Sequence, residues 1–252
     1  MNVLIACEES QAVCKEFRAR GHRAFSCDLQ ECSGGHPEWH INGDVLPILN
    51  GRCEFVTQDG KTHTQNDRWD LIIAHPPCTD LAVSGAAWFE RKRAEGSQRE
   101  SVLFFCKFLE IDCDKVAIEN PVGIISGDYV REWFPDIADR YGLPLKPTQT
   151  IQPWMFGDNY SKSTCLWLKG LESLVPQNID EPQLEWFEWI DKKGKKKRQP
   201  LWFAEAWHLP QDERRRIRSK TFLGIARAMA EQWGDGKRPQ YNINLKGQYE
   251  LW

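Results

Sequence analysis

The chain has 252 residues, and its 33 lysines and arginines against 36 aspartates and glutamates give a formal net charge of −3 at pH 7. This length favours one large domain, or one domain with a small appendage, and 41% hydrophobic against 27% charged residues excludes a disordered chain. No apolar run approaches the roughly 20 residues of a membrane-spanning helix, and the first residues do not resemble a secretion signal. We therefore expect a cytoplasmic protein without a membrane partner.

The cysteines are unusually numerous, since the chain has nine of them. An odd, scattered set without a secretion signal predicts reduced thiols and not a disulfide framework. Cys27, Cys32, His36 and His40 have the residue types of a zinc site, but their spacing follows no standard structural site. We expect no metal.

The first 75 residues alternate strand and helix patterns. After the first strand, Ser10 can cap a helix that Gly21 ends. Pro76 and Pro77 stop the last strand abruptly. The predicted strands of this part cover residues 2–6, 23–27, 41–45 and 69–74.

The alternation continues beyond this point. Ser97 and Glu100 form a capping box that predicts a helix over 98–112. The other predicted elements are strands at 115–118 and 164–168 and helices at 129–141 and 219–233. Strands separated by helices predict an α/β fold with a doubly wound, mainly parallel sheet covered on both faces. Ligands bind outside the carboxyl ends of such strands, and the residues just past predicted strand ends include Asp28, Asp44, Cys78 and Glu119.

Residues 171–218 differ in character from the rest. Six of the eight residues from 191 to 198 are lysine or arginine, and a second basic patch covers 214–218. Around them lie Trp186, Trp189, Trp202 and Trp207. Basic residues among aromatics suit phosphate contact and base stacking, although a solvated hairpin tip explains the run equally well. We expect a catalytic domain of 1–170 plus 219–252, with 171–218 as a small basic and aromatic recognition insert.

Two short motifs carry the chemistry. In Ala74-His75-Pro76-Pro77-Cys78-Thr79, two prolines hold a thiol just past a buried strand. In Ile118-Glu119-Asn120-Pro121, a carboxylate ends a neighbouring strand. Each alone is compatible with a structural role. Together they suit a thiolate nucleophile paired with an acid that protonates the same substrate.

These motifs resemble, in order, those of the DNA (cytosine-5-)-methyltransferase family, in particular its short phage and prophage members. The resemblance covers most of the chain. The segments that carry it are Val3–Gly21, Cys27–Leu29, Gly43–Val45, Pro76–Cys78, Glu119–Pro121, Tyr160–Thr164 and Thr221–Ala226.

The resemblance implies a Rossmann-like fold, S-adenosylmethionine as methyl donor and DNA as partner. Cys78 would add to carbon 6 of a cytosine and Glu119 would protonate or hydrogen-bond ring N3, so that carbon 5 takes up the methyl group. A duplex substrate implies flipping of the base. The resemblance also implies a monomer in the cytoplasm of a bacterial or phage-infected cell.

The family positions carry over to two further sets of residues. The cofactor-binding residues implied are Glu8, Glu9, Ser10, Gln11, Asp28, Leu29, Asp44, Val45, Pro76 and Gly224. The substrate-binding residues implied are Pro77, Thr79, Asn120, Pro121, Lys162, Thr164, Lys195, Lys196 and Arg198.

The sequence also departs from the family pattern. The cofactor loop has no glycine before Gly21, and Lys162 and Thr164 stand where the family carries arginines. Two alternatives therefore stay open. The same scaffold could modify another pyrimidine substrate, such as RNA or a free nucleotide, or use a variant donor. It could also be a catalytically inert protein that binds DNA or another ligand.

Overall fold

In the computed structural model, the described residues are 1–178, 180, 182–191, 194–210, 213, 214, 217 and 221–239, with the backbone alone at 241–243 and 249–251. Parts of the predicted basic run, second basic patch and last helix lie outside the described residues, namely Lys192, Lys193, Arg215, Arg216, Arg218 and Ser219.

The strands in the described residues are β1 (Asn2–Ala6), β2 (Arg23–Asp28), β3 (His40–Asn42), β4 (Cys53–Val56), β5 (Thr62–Gln65), β6 (Leu71–Ala74), β7 (Val116–Pro121), β8 (Gln149–Ile151), β9 (Thr164–Lys169), β10 (Trp186–Ile190), β11 (Lys196–Pro200), β12 (Tyr241–Ile243) and β13 (Tyr249–Leu251). The α-helices there are α1 (Ala12–Ala19), α2 (Phe89–Ala94), α3 (Ser97–Lys107), α4 (Tyr129–Trp133), α5 (Pro135–Tyr141), α6 (Leu201–Glu205) and α7 (Leu223–Met229).

Seven strands form the central sheet, in the order β3-β2-β1-β6-β7-β9-β8. Five of these strands are parallel, namely β3, β2, β1, β6 and β7, whereas β9 runs antiparallel to both β7 and β8. The strand order reverses between β1 and β6, and in such sheets a crevice for ligands opens there at the carboxyl ends of the strands. The predicted doubly wound, mainly parallel sheet is confirmed.

Helices cover both faces of this sheet. Along β1, Leu4 and Ala6 pack on the face that α3, α4 and α5 cover, while Val3 and Ile5 pack on the face that α1 and α7 cover. This alternation follows from the two-residue period of a strand. Burial of each large aliphatic side chain contributes about 1.5–3 kcal/mol to folding, so both layers hold the strand ends rigidly.

The start of α1 differs from the prediction. Gln11 occupies the N-cap position with a left-handed backbone (φ 57°), and its side chain makes no capping hydrogen bond. The carboxylate of Glu8 accepts hydrogen bonds from the amides of Val13 (2.6 Å) and Cys14 (3.2 Å) instead. Ser10 is therefore not the N-cap residue that the sequence predicted. Its hydroxyl accepts only a long hydrogen bond from the amide of Ala12 (3.5 Å), and Glu8 makes the closer contact to the helix start.

The capping box predicted for α3 was also wrong. Gly96 is the N-cap residue (φ 83°), and Ser97 already lies within the helix. The helix ends at Lys107 and not at residue 112, because the chain turns there and the amide of Leu109 donates to the carbonyl of Cys106.

The predicted helix 129–141 is two helices. Pro135 has no N–H to donate, and it begins α5 after the non-helical Phe134. The last predicted helix is present as α7 and continues in a π-helical turn, Ala230–Gly234.

Two hairpins extend from the central fold, of which the first was not predicted and the second agrees with the hairpin tip considered for the basic run. The strands β4 and β5 pair around Asp59-Gly60, and β10 and β11 pair within the predicted insert. The first residues of that insert are part of the core, since Leu174 is buried and Leu171 packs against the same cluster. In the described part of the chain, no helix has the length and apolar character needed to cross a membrane.

Candidate active site

The register of the sheet brings the two predicted chemical motifs side by side. Ala74 in β6 pairs with Ile118 in β7, so the next residues, His75 and Glu119, are neighbours at the carboxyl edge. From Glu119 onward, β7 pairs only with β9. The strand therefore extends beyond β6 and carries its carboxylate past the end of that neighbour.

A short hydrogen bond joins these two neighbours. Nδ1 of His75 lies 3.0 Å from Oε2 of Glu119, and the side chains are only 9% and 14% exposed. Burial alone would raise the pKa of the Glu119 carboxyl, but the hydrogen bond from His75 and the positive charge of Lys162 outweigh burial and hold that pKa below its usual range. The sheet edge therefore holds an ionised carboxylate next to a histidine.

The loop that carries Cys78 is bonded to the loop that follows Glu119. Nδ2 of the buried Asn120 donates to the carbonyl of Pro76 at 2.7 Å. Further along, the amide of Ile124 donates to Leu81 at 2.9 Å, and a Cβ on Gly123 would come within 2.5 Å of the same Leu81 carbonyl. Only glycine permits this approach, so hydrogen bonds and a close backbone contact tie the two loops together.

Cys78 itself begins a tight turn. Its carbonyl accepts hydrogen bonds from the amides of Leu81 (3.0 Å) and Ala82 (2.9 Å). The carboxylate of Asp80 holds the turn in place, because it forms an ion pair with Lys92 at 3.1 Å and accepts a hydrogen bond from the Ser101 hydroxyl at 3.0 Å. The thiol is half-buried, while the flanking Pro77 and Thr79 are exposed and Pro76 is buried.

Several other thiols are protonated and unreactive. Burial raises the pKa of Cys27 and of Cys106 to about 12. It raises the pKa of Cys7 and Cys14 above the range of ordinary thiols. Because the thiolate is the nucleophile, these four do not compete with Cys78.

A second polar group lies at the ends of β1, β2 and β3. Negative charges on Asp28 and Asp44 add to the effect of burial in raising the pKa of the Cys7 thiol. Oδ1 of Asp28 accepts from the Gln30 amide (2.9 Å), and Oδ1 of Asp44 accepts from Leu46 (3.0 Å). Beside them, Leu29 is 78% exposed and Val45 is buried.

The predicted cofactor loop is closely bonded within the protein. Gln11 is fully buried, and its amide group bonds the backbone of His36 in both directions, at 2.9 and 3.0 Å. Ser33 donates its amide and its hydroxyl to Glu9, and a Cβ on Gly34 would meet the Ser10 carbonyl at 2.6 Å. Cys7 and Gln11 take left-handed backbone conformations (φ 59° and 57°) that glycine usually provides.

The predicted cofactor residue Gly224 makes a close packing contact. A Cβ at this position would meet the carbonyl oxygen of Phe156 at 2.0 Å, and the Gly224 amide donates to Asp158 at 2.8 Å. The start of α7 is therefore held against the turn 153–156.

The predicted substrate residues divide between the sheet edge and the insert. Lys162 precedes β9 and acts on Glu119, and Thr164 is buried opposite Pro121. The three predicted substrate residues of the insert, Lys195, Lys196 and Arg198, are exposed on the β10–β11 hairpin.

The insert docks near Lys162 through an aromatic cluster. The ring of Trp202 lies 5.8 Å from that of Tyr160 and 5.9 Å from that of Phe222, centre to centre. Nζ of Lys162 lies 5.8 Å from the centre of the Phe222 ring. The base of the insert therefore adjoins the end of the sheet that carries Glu119.

The residues considered as zinc ligands have other partners. Cys27 contacts the Gly43 carbonyl, His40 bonds Ser26 and the carbonyl of Gln30, and His36 stacks on a tryptophan. No three His, Cys, Asp or Glu side chains gather as a metal site would require, within the residues that the structure describes.

His75 has no role among the residues predicted from the sequence. The signal available was its position directly before Pro76-Pro77-Cys78. The hydrogen bond to Glu119 depends on the pairing of β6 with β7, which is not a local property of the sequence.

The sheet order, with the last strand of the central sheet inserted antiparallel, defines a doubly wound α/β protein with a Rossmann-like fold. No protein-family model and no curated protein matches the sequence. A solved structure of a proposed DNA modification methyltransferase, encoded within a prophage of E. coli, is similar at 14% identity and a TM-score of 0.43. The match covers 71% of this chain and 52% of that chain, so this chain spans about half of that protein's length.

Proposed function

We propose that the protein transfers a methyl group from S-adenosylmethionine to carbon 5 of cytosine in DNA. The observation that carries this proposal is the joined pair of loops at the carboxyl edge. The half-buried thiol of Cys78 lies on one loop, and Glu119 lies where the other begins. The bond from Asn120 to Pro76 couples them. A nucleophile and an acid on adjacent strand ends can act on one planar ring.

The roles of the two residues follow from the electronic structure of cytosine. The Cys78 thiolate forms a bond to carbon 6 while ring N3 takes a proton from the protonated form of Glu119, so no charge accumulates on the ring. Because the pKa of this carboxyl is lowered, that form is the minor one at neutral pH. The displaced electron pair makes carbon 5 nucleophilic. After methylation, the carbon 5 proton is lost to solvent, Cys78 leaves as a thiolate, and the N3 proton returns to the Glu119 carboxylate, so that the aromatic ring is restored.

The donor would bind over the ends of β1, β2 and β3. Carboxylates suit the hydroxyl and amine groups of an adenosine, and Asp28 and Asp44 supply two at this edge. Bound there, S-adenosylmethionine supplies the methyl group. Glu8 and Gln11 are engaged in bonds within the protein, so we expect the cofactor to contact this loop mainly through its backbone.

The insert would hold the DNA. Exposed Lys195, Lys196 and Arg198 suit phosphate contacts, and the exposed rings of Phe187 and Trp189 suit base stacking. These features support the division into a catalytic domain, residues 1–170 plus 219–252, and a recognition insert, residues 171–218. Because the insert is short, we expect a short target sequence.

Product analysis tests the proposal. The protein is incubated with labelled S-adenosylmethionine and unmethylated duplex DNA of varied sequence, and the nucleosides are then analysed by mass spectrometry. We expect 5-methylcytosine. Parallel reactions with RNA and with a free cytidine nucleotide separate the alternative substrates. Donor binding without 5-methylcytosine in any DNA would overturn the proposal.

Covalent trapping tests the nucleophile separately. DNA containing 5-fluorocytosine cannot lose its carbon 5 substituent, so the adduct with Cys78 should persist on a denaturing gel. We expect no adduct with Cys78→Ala. Modification that survives this substitution would contradict the covalent route, and an unmodified DNA that is still bound by both proteins would identify an inert binding protein.

A further inference from the structure

The imidazole of His75 lies where it can control the acid of the site. His75 and Glu119 directly follow Ala74 and Ile118, the last register pair of two parallel strands. Nδ1 of His75 is 3.0 Å from Oε2 of Glu119. Because both side chains are almost fully enclosed, this bond fixes the orientation of the carboxylate.

The other nitrogen of the same ring is unsatisfied. Nε2 of His75 is buried and has no hydrogen-bond partner among the described residues. A buried polar atom without a partner typically costs about 1–3 kcal/mol, so a purely structural position would favour an apolar side chain. The bond that Nδ1 makes to Glu119 explains why a histidine stands here.

Charged groups surround the pair on every element that faces it. The buried carboxylate of Glu8, on the loop after β1, interacts with His75, and Glu9 interacts with Glu8 in turn. The positive charge of Lys162, before β9, lowers the pKa of Glu119, and the negative charge of Glu119 adds to burial in raising the pKa of the Cys165 thiol in β9. Glu8 is held by two amides of α1, which leaves His75 to bond Glu119.

We propose that His75 is a positioning residue for the methylation of cytosine: its Nδ1–H fixes Oε2 of Glu119, so that Oε1 faces ring N3 of the substrate. This inference rests on the function proposed above. When the Oε1 proton passes to N3, the same bond stabilises the carboxylate that remains, and the proton returns to Glu119 when the adduct breaks down. His75 thus makes Glu119 a better oriented and stronger acid without touching the substrate.

Two variants separate this role from a structural one. His75→Asn keeps an N–H donor near the position of Nδ1, whereas His75→Ala removes it. Loss of the donor should raise the pKa of Glu119, because burial then acts without the opposing hydrogen bond. In His75→Ala we expect kcat to fall about 10- to 100-fold, with KM changed less than about threefold, because misplacement of a catalytic group costs this much. His75→Asn should recover most of the loss.

The pH profile gives a readout that misfolding would not produce. An acid that must be protonated loses activity as pH rises through its pKa, so the falling limb of kcat should move to higher pH in His75→Ala. His63→Asn, on the β5 hairpin, is the matched control and should leave rate and profile unchanged. Equal losses in both His75 variants, or an unmoved limb in His75→Ala, would overturn the proposal.

A measurement without turnover keeps this test distinct from that of the proposed function. The carboxyl of Glu119 is followed by carbon-13 NMR during a pH titration, with Glu119→Gln used to assign its signal. We expect a higher pKa in His75→Ala than in the wild type or His75→Asn. An unchanged pKa would overturn the role of His75, whereas a raised pKa in a protein that makes no 5-methylcytosine would overturn only the proposed reaction.

Discussion

The carboxyl edge of the sheet and the β10–β11 hairpin differ in how far their paired polar side chains are exposed to water. At the edge, the hydrogen-bonded pair of His75 and Glu119 is almost fully enclosed, with 9% and 14% of the side chains exposed. On the hairpin, the pair of Lys196 and Glu188 is open to water, with 72% and 46% exposed. A buried pair keeps its strength, whereas an exposed pair typically contributes only about 0–1 kcal/mol.

This difference assigns different tasks to the two regions. Groups fixed by burial can hold a reacting geometry within fractions of an ångström. Groups on an exposed hairpin can exchange their weak partners for the phosphates of a nucleic acid at little cost. We therefore expect substitutions at the edge to change kcat, and substitutions on the hairpin to change binding and its dependence on salt.

The largest effect should come from the nucleophile. We expect Cys78→Ser to lower methyl transfer by about 10³-fold or more, because a hydroxyl is ionised far less than a thiol at neutral pH. The measurement is labelled methyl incorporation into DNA. Cys53→Ser removes another half-buried thiol, on the β4 hairpin, and should keep full activity. If Cys78→Ser retained a tenth of the activity, the edge would not hold the nucleophile.

The next effect should come from the acid. Glu119→Gln keeps the shape of the side chain but cannot transfer a proton, so we expect kcat to fall about 10²- to 10⁴-fold. DNA affinity, measured by fluorescence anisotropy, should stay within about twofold, because the hairpin is unchanged. Glu110→Gln, which removes an exposed carboxylate after α3, is the control. A loss confined to DNA affinity would contradict the separation of the two regions.

The fold and the edge could be predicted to different depths from the sequence. The ends of β6 and β7 could be predicted, because Pro76-Pro77 ends one apolar run of residues and Glu119 directly follows another. The antiparallel insertion of β9 and the contact of His75 with Glu119 were not, because strand order and register depend on distant residues.

Two errors in the predicted helices differ in whether the sequence could have prevented them. The break between α4 and α5 was accessible, because Pro135 cannot continue a helix. The cap of α1 was not, since both Ser10 and Glu8 can accept hydrogen bonds from a helix start. The choice of Glu8 depends on the left-handed turns at Cys7 and Gln11, which the sequence does not signal with glycine.

A moderate effect should come from the hairpin. We expect the triple substitution of Lys195, Lys196 and Arg198 by alanine to weaken DNA binding about 10-fold or more at low salt, with kcat at saturating DNA nearly unchanged. The slope of log affinity against log salt should fall by about 0.9 for each phosphate that the variant no longer neutralises. Binding isotherms at several salt concentrations measure both quantities.

A matched triple variant controls for the loss of positive charge. It replaces Lys61, Lys107 and Arg140, whose side chains are exposed and paired with nearby carboxylates. We expect this variant to keep the salt slope of the wild type. Equal changes of slope in the two triple variants would show that overall charge, and not the hairpin, governs binding.

The smallest effect on activity, with a clear effect on stability, should come from Gly224→Ala. The added Cβ would meet the Phe156 carbonyl at 2.0 Å, so α7 must shift, at a cost of about 1–3 kcal/mol. For a chain of this size each kcal/mol corresponds to about 2–4 °C, so we expect Tm to fall by several degrees in a thermal scan. Gly127→Ala, where a Cβ meets nothing within 4 Å, should leave Tm unchanged. The helix α7 packs on the central sheet and not on the β10–β11 hairpin, so the salt slope of DNA binding should stay as in the wild type. A changed slope would mean that a shift of α7 also alters the hairpin.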